Sequence, residues 1–244
     1  MFTVNICVSR IPGKTQVQFR RYAIDNHARL VLGTTNVSRF ITRYVQHHVY
    51  DGSYGPDAPR WRYDVATHVS SRSLEDMVAA RQQPDYINIV RPDESRFAHQ
   101  DSVMAFAAIQ VPLLVTVPGP SRFRLLHYLK RASDIPAERF REQWERAHAS
   151  VLTFSPRLST VVRRALLSYA LPDPSGESPY AGVVEIGFVE KEDAALLTDY
   201  VLQVEERLQA CIEHSASFYL LAEAVLLRGD VDGVGTNAGS GYRG

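Results

Sequence analysis

The feature that most constrains this chain is one interval that occurs twice. When Arg10 is laid on Arg131, Phe19 falls on Phe140, Arg20 on Arg141, His27 on His148 and Ala28 on Ala149, with no gap. In each copy the Phe and the His lie on a stretch of helical apolar spacing that follows a strand-like run. Recurrence of a β-α segment at a fixed offset is the mark of internal repetition, and it must be read before any single element.

The elements around the repeat come in one order. Phe2 to Ser9 reads as a strand, Pro12-Gly13 as a turn, and Thr15 as the cap of a helix that ends at Gly33. Val37 to Tyr50, rich in β-branched and aromatic residues, predicts a second strand; 51–59 is a loop, and Trp61 to Ser70 a third strand. Ser73 caps a helix over Leu74, Met77 and Val78, Pro84 and Pro92 interrupt any helix in 83–100, and Ser102 to Gln110 is a fourth strand. The second half predicts strand 124–131, helix 136–154, strand 158–171, loop 172–179, strand 180–189, helix 192–213 and strand 217–227. The order βαββαβ is the ferredoxin-like unit. The expected fold is therefore α+β: two tandem ferredoxin-like βαββαβ units, residues 1–115 and 121–229, followed by a disordered Gly-rich tail at 230–244. The link Pro112 to Pro120 is short, so the halves should pack together. Each unit has a sheet with helices on one face and nothing on the other, and that face must be covered. Two such sheets pressed face to face give an intrachain dimeric α/β barrel with a pocket between them.

Charge narrows the function classes. Lys plus Arg and Asp plus Glu number 27 each, so the basic excess expected of a nucleic-acid or anionic-membrane binder is missing. No apolar run approaches the roughly 20 residues of a membrane helix, and the first ten residues carry no secretory pattern. The expectation is a cytoplasmic protein with no membrane and no nucleic acid among its partners. A homodimer of the fused barrel is compatible with it. Cys7 and Cys211 are expected as reduced, buried thiols.

Three stretches then carry a resemblance. Phe19, Tyr22-Ala23 and His27-Ala28-Arg29-Leu30 resemble the helix motif of EthD-like dimeric α/β barrel proteins: a Phe, a Tyr-Trp pair, then His before Ala-Pro-Leu. Tyr44, Gln46 and His48 resemble the family's second strand, and Asp93-Glu94-Ser95-Arg96-Phe97 its Asp-Glu-x-x-Phe signature. In the second half, Phe140 to Ala149 fits the helix motif and Gly182 to Phe188 resembles the third strand. Ala23 stands where the family has Trp and Arg29 where it has Pro. Ala165, Leu167 and Tyr169 replace the Tyr-Gln-His strand, so equivalent sites in the two halves are not expected.

Alternation puts Phe40, Thr42, Tyr44, Gln46 and His48 on one face of the second strand, with Arg39, Ile41, Arg43, Val45, His47 and Val49 on the other. Polar groups among aromatics suit the wall of a small-molecule pocket; the alternative is a solvent face or a set of satisfied structural groups. In the pocket reading His48 moves a proton, assisted by His27, while Tyr44 and Gln46 hold a carbonyl or phenol oxygen. Phe40, Thr42, Glu185 and His148 join as substrate-binding residues. His27 and His148 could equally stabilise helix ends, and Glu185 could pair with an Arg. Arg163-Arg164 read as a solvated pair, and Asp93 and Glu94 as caps. No metal is expected, since His47 and His48 are adjacent on a strand and diverge, and no cofactor is expected. The resemblance implies a cofactor-independent lyase or isomerase doing dehydration, decarboxylation or proton-shift chemistry on a small aromatic, lactone or polyketide-like substrate. The alternatives are a non-catalytic small-molecule binding or accessory protein, or a haem- or oxygen-dependent barrel monooxygenase, because related α/β barrels bind haem through one His.

Overall fold

A computed structural model describes residues 1–50, 63–115, 121–172 and 178–229. The expected loop 51–59, residues 116–120 of the link, residues 173–177 of the expected loop 172–179 and the tail 230–244 lie outside the described residues. The strands are β1 Phe2–Val8, β2 Arg43–Val49, β3 Val65–Ser71, β4 Met104–Val115, β5 Phe123–Leu129, β6 Val162–Ala170, β7 Gly182–Phe188 and β8 Phe218–Arg228. The helices are α1 Gln16–Tyr22, α2 Arg29–Gly33, α3 Thr35–Ser38, α4 Leu74–Gln82, α5 Arg91–Glu94, α6 Ala137–Phe154, α7 Pro156–Val161 and α8 Ala194–Arg207. A π-helical turn, Ala23–Ala28, joins α1 to α2, and another, Tyr86–Val90, precedes α5.

All eight strands form one closed antiparallel barrel in the order β1-β3-β2-β8-β5-β7-β6-β4. The expectation of two sheets packed face to face is corrected by this order. The first four strands make β4-β1-β3-β2, the last four make β8-β5-β7-β6, and the two sets join edge to edge at β2–β8 and β4–β6. The reason is hydrogen bonding: two open sheets would leave four unpaired edges, and closure removes them all. An eight-stranded barrel is just wide enough for side chains to fill its interior, which here holds Cys7, Ala66, Phe106, Leu126, Tyr128, Val183 and Leu220. Both seams carry a register shift, at Tyr44/Val45 and at Pro112/Leu114, the second where proline lacks the N–H a ladder needs.

The helices lie outside the barrel. In the second half, Phe140, Trp144, Val151 and Tyr200 pack on Leu125, Leu167, Val184 and Ile186 in the largest apolar cluster. In the first half the contacts split into two smaller clusters, one around Phe19, Ala23 and Phe97, the other around Val31, Ile41 and Tyr44.

Thr15 caps α1 as expected: its hydroxyl accepts from the Gln18 amide at 3.2 Å while Gln18 accepts from the Thr15 amide at 2.9 Å. Two predicted strands begin late. Residues 35–38 turn into α3 because the Val37 and Ser38 amides close on the Thr34 carbonyl at 2.9 and 2.8 Å. Residues 156–161 turn into α7 because Ser155 caps the Leu158 amide and Pro156 opens the helix. β-Branched composition alone does not distinguish these short helices from strand.

Glu223 on β8 binds the seam to its surroundings. Its carboxylate takes Arg20 of α1 at 2.6 Å and Arg122 at 2.6 Å. Burial raises its pKa, but the two arginines outweigh that and leave it below the usual carboxylate range. A depressed folded-state pKa gives stability that is present above the unfolded value and is lost as pH falls through the folded one. Glu223→Gln should therefore be less stable than wild type at neutral pH, with the difference vanishing in acid. Urea titrations at pH 7 and pH 3 check this; a constant difference would exclude the ion pairs as its source.

Candidate active site

A cavity of about 190 Å³ lies between the outer face of the first-half strands and the helices that cover them. Val4, Ile6, Val65 and Val69 from the strands and Val31, Met77 and Val90 from the helices make its wall largely apolar. His27, Tyr44 and Gln46 supply polar groups.

The π-helical turn sets His27. Its Nδ1 lies 3.0 Å from Asp93 Oδ2, and Tyr22 donates to Asp93 Oδ1 at 2.6 Å. A carboxylate only accepts, so the imidazole donates from Nδ1, and Nε2 is the nitrogen left for the cavity. The ring packs at 4.8 Å on Phe97. Asp93 is thus the partner that fixes a histidine, rather than the cap predicted for it, and Glu94 accepts from the Tyr86 hydroxyl at 2.9 Å. The Asp-Glu-x-x-Phe stretch already contained the partner; what the sequence lacked was the fold that carries residue 93 back onto residue 27.

Tyr44, Gln46 and His48 do share a face of β2, but that face looks toward the helices and away from the barrel interior. Gln46 donates to Tyr44 Oη at 3.1 Å and to the Ala23 carbonyl at 3.2 Å, and its Oε1 takes the His48 Nε2 proton at 3.0 Å. Burial pushes the Tyr44 phenol up to about 12, so it stays protonated. His48 is another matter. It does not line the cavity, and burial, with Arg20 adding to it, pushes its pKa down to about 3. The expected proton carrier is a neutral hydrogen-bond donor one step behind the wall, because it lies past the end of the helix layer's cavity and beside a cation.

Four predicted substrate contacts lie elsewhere. Phe40 sits in the turn before β2, with the Arg39 guanidinium 4.7 Å over its ring. Thr42 is exposed and donates to the Ser70 carbonyl at 3.1 Å. His148 is fully buried in the second helix layer, where Trp144 donates to its Nε2 at 2.8 Å and Tyr200 meets its Nδ1. Burial, then the neighbouring His127, holds it well below the ordinary imidazole range, so it is a neutral packing element. Glu185 faces the barrel interior and pairs with Arg124 at 2.9 Å. Arg164, predicted to be solvated, is buried 3.5 Å from the same carboxylate. A second cavity, about 410 Å³, opens beside Trp144, Tyr169 and Arg141 in the other half, and no histidine lines it.

Residues 11–101 match the family model of the EthD domain. The resemblance in the helix motif, the second strand and the Asp-Glu-x-x-Phe stretch therefore holds over the first half. No curated protein matches the chain. Among solved structures it is similar to an anthrone oxidase-like protein, with a TM-score of 0.64 and 10% identity over 92% of this chain and 90% of that one. It is also similar to a mutant chlorite dismutase of Candidatus Nitrospira defluvii, at TM-score 0.53 and 10% identity, covering 93% and 92%. A candidate monooxygenase from Fusobacterium nucleatum subsp. nucleatum gives TM-score 0.52 and 8% identity, covering 93% and 92%. These likenesses establish the fold, the dimeric α/β barrel in one chain. The expected cofactor-independent lyase or isomerase is corrected here: the neighbours are an anthrone oxidase-like protein, a chlorite dismutase and a candidate monooxygenase, and none of the three carries a lyase or isomerase name. Among the described residues, no helix is long and apolar enough to cross a membrane.

Neither His148 nor His27 fits a haem. His148 has both ring nitrogens engaged, and its helix layer is filled by the largest apolar cluster. The cavity beside His27, about 190 Å³, falls below the roughly 300–1,000 Å³ that hold even a drug-sized ligand.

Proposed function

We propose that this protein is an oxygen-dependent oxidase or monooxygenase acting on a small aromatic compound bound in the first-half cavity. The observation that carries the reading is the Tyr22–Asp93–His27 array opening onto an apolar space. An apolar cavity of about 150 Å³ already accepts benzene, so 190 Å³ suits one substituted ring. His27 Nε2 removes a proton from the substrate, Asp93 stabilises the imidazolium that results, and Tyr44, held by Gln46, donates to the oxygen on which negative charge gathers. The electron-rich anion then reacts with dioxygen. A ring-flanked CH2 becomes C=O with one atom of dioxygen, the second atom leaves as water, and the substrate supplies all four electrons, so no external reductant is needed. The fold company of oxidase-like and monooxygenase proteins supports this chemistry over proton shuffling alone.

The test is dioxygen consumption, followed by oxygen electrode over a panel of single-ring phenols and ring-flanked methylene compounds. His27→Ala should lower kcat/KM by about 10²–10⁴-fold, and Asp93→Asn should lower it less while moving the pH profile. Turnover that continues without dioxygen, or full activity in His27→Ala, would refute the proposal.

We also propose that residues 1–115 and 121–229 are two domains derived from one duplicated ferredoxin-like unit. Support comes from the recurring element order and from Phe19/Phe140 and His27/His148, which are buried at matching places in both helix layers. The first copy has a cavity beside its histidine; in the second, Trp144 and Tyr200 occupy both ring nitrogens of His148.

A further inference from the structure

The barrel interior contains a polar cluster that the proposed reaction does not use. His47 of β2, His68 of β3 and Glu185 of β7 point inward from three strands, and one ligand atom from each lies within 4.8 Å of the others. All three side chains are at most 1% exposed. Both ring nitrogens of His47, both of His68 and Oε2 of Glu185 have no hydrogen-bond partner. His68 Nδ1 and Glu185 Oε2 stand 3.3 Å apart, but they are not aligned for a bond. That leaves three buried ring nitrogens, both of His47 and Nε2 of His68, with neither a hydrogen bond nor an ion pair, at a cost of about 1–3 kcal/mol each. Native interiors do not carry that cost without a compensating group.

We propose that His47, His68 and Glu185 bind a divalent first-row transition-metal ion inside the barrel. The donor set, two imidazoles and one carboxylate, is one that Zn²⁺ and Fe²⁺ both accept. The spread of 4.8 Å lets one ion reach all three at ordinary bond lengths of roughly 2.0–2.2 Å with small side-chain rotations. Arg124 donates to Glu185 Oε1 at 2.9 Å and Arg164 lies 3.5 Å from the same atom, so the arginines orient the carboxylate by one oxygen and leave Oε2 to the ion. These cations, with Arg43 also buried in the interior, oppose a bare divalent charge. The ion is therefore expected with a small anion, hydroxide or chloride, in its remaining position. This site lies on the other side of the β2 strand from His27 and is independent of the oxygenase reading.

The sequence hid this site because its ligands are 21 and 117 residues apart and follow no local spacing. The test uses the full chain with Co²⁺ as an optical probe, added to folded protein and, separately, present during refolding. One equivalent of Co²⁺ should give visible absorption bands and raise the melting temperature. Metal analysis of protein expressed with Zn²⁺ or with Fe²⁺ identifies the resident ion. His47→Gln and His68→Gln, checked for native circular dichroism, should each abolish the Co²⁺ bands. No uptake by wild-type protein under either loading condition would overturn the proposal, whatever the variants do. Uptake unchanged in both folded variants would overturn it as well.

Discussion

Replacing Glu185 with alanine is expected to lower the unfolding free energy by about 3–5 kcal/mol, which for a chain of this size is a fall in Tm of roughly 6–20 °C. The carboxylate lies against both Arg124 and Arg164, and all three side chains are buried. Burial alone would raise its pKa; Arg164, His68, His47 and Arg124 more than reverse that and keep it ionised. Removing it takes from the buried Arg124 guanidinium the carboxylate that its Nε donates to, and from Arg164 a carboxylate 3.5 Å away. An ion pair at the surface contributes far less: Arg141 and Glu145 are 3.1 Å apart but exposed, and such pairs are worth about 0.2–1 kcal/mol, apart from the hydrogen bond that Glu145 accepts from Tyr169. A triple variant, Glu185→Leu with Arg124→Met and Arg164→Met, should recover much of the lost stability, because a buried ion cluster is often no better than apolar packing of its volume. Guanidinium unfolding of the three variants separates the cases. A Glu185→Ala protein within 1 kcal/mol of wild type would mean that water reaches the arginines.

The difference between Glu185 and Glu145 marks the limit of what the sequence could disclose. Alternation along β2 correctly grouped Tyr44, Gln46 and His48, since neighbouring side chains on a strand must diverge. Which side of the strand met the helices was not fixed by that pattern, because both faces of Arg43 to Val49 are buried. A strand buried on both sides has no polar face to orient it. The row of Arg43, Val45 and His47 was therefore as eligible for a pocket as the row whose Tyr44 and Gln46 line one. His27 was legible as a candidate from the recurring Phe-to-His interval. Its partner Asp93 is 66 residues away and needed the fold. The closing of the barrel was not legible either: sheet edges do not announce their partners, and the Pro112 region, where β4 meets β6, reads in sequence as a linker.

Gly182→Ala is expected to be more damaging than any substitution that merely strains a backbone. Gly182 opens β7 with φ at +154°, and a Cβ there would stand 2.1 Å from the Ser168 carbonyl oxygen and 2.8 Å from the Trp144 ring. The strand cannot step aside, since Gly182 pairs with Leu129 of β5 on one side and Tyr169 of β6 on the other. Trp144 cannot yield cheaply either, because it is fully buried and its indole donates to His148. A loss above about 4 kcal/mol follows from clash and strain together. Two further glycines isolate the causes. Gly13 has φ at +86° and open space, so Gly13→Ala should cost only the backbone strain, about 1–2 kcal/mol. Gly33 ends α2 with neither a positive φ nor a neighbour within 4 Å, so Gly33→Ala should be neutral or stabilising by up to about 1 kcal/mol. Combining Gly182→Ala with Trp144→Phe relieves the ring contact but not the carbonyl, so it should not restore stability. Denaturant midpoints measure the order. If Gly182→Ala were no worse than Gly13→Ala, the close approach of β6, β7 and α6 would be wrong, and with it the packing that seals the second half around His148.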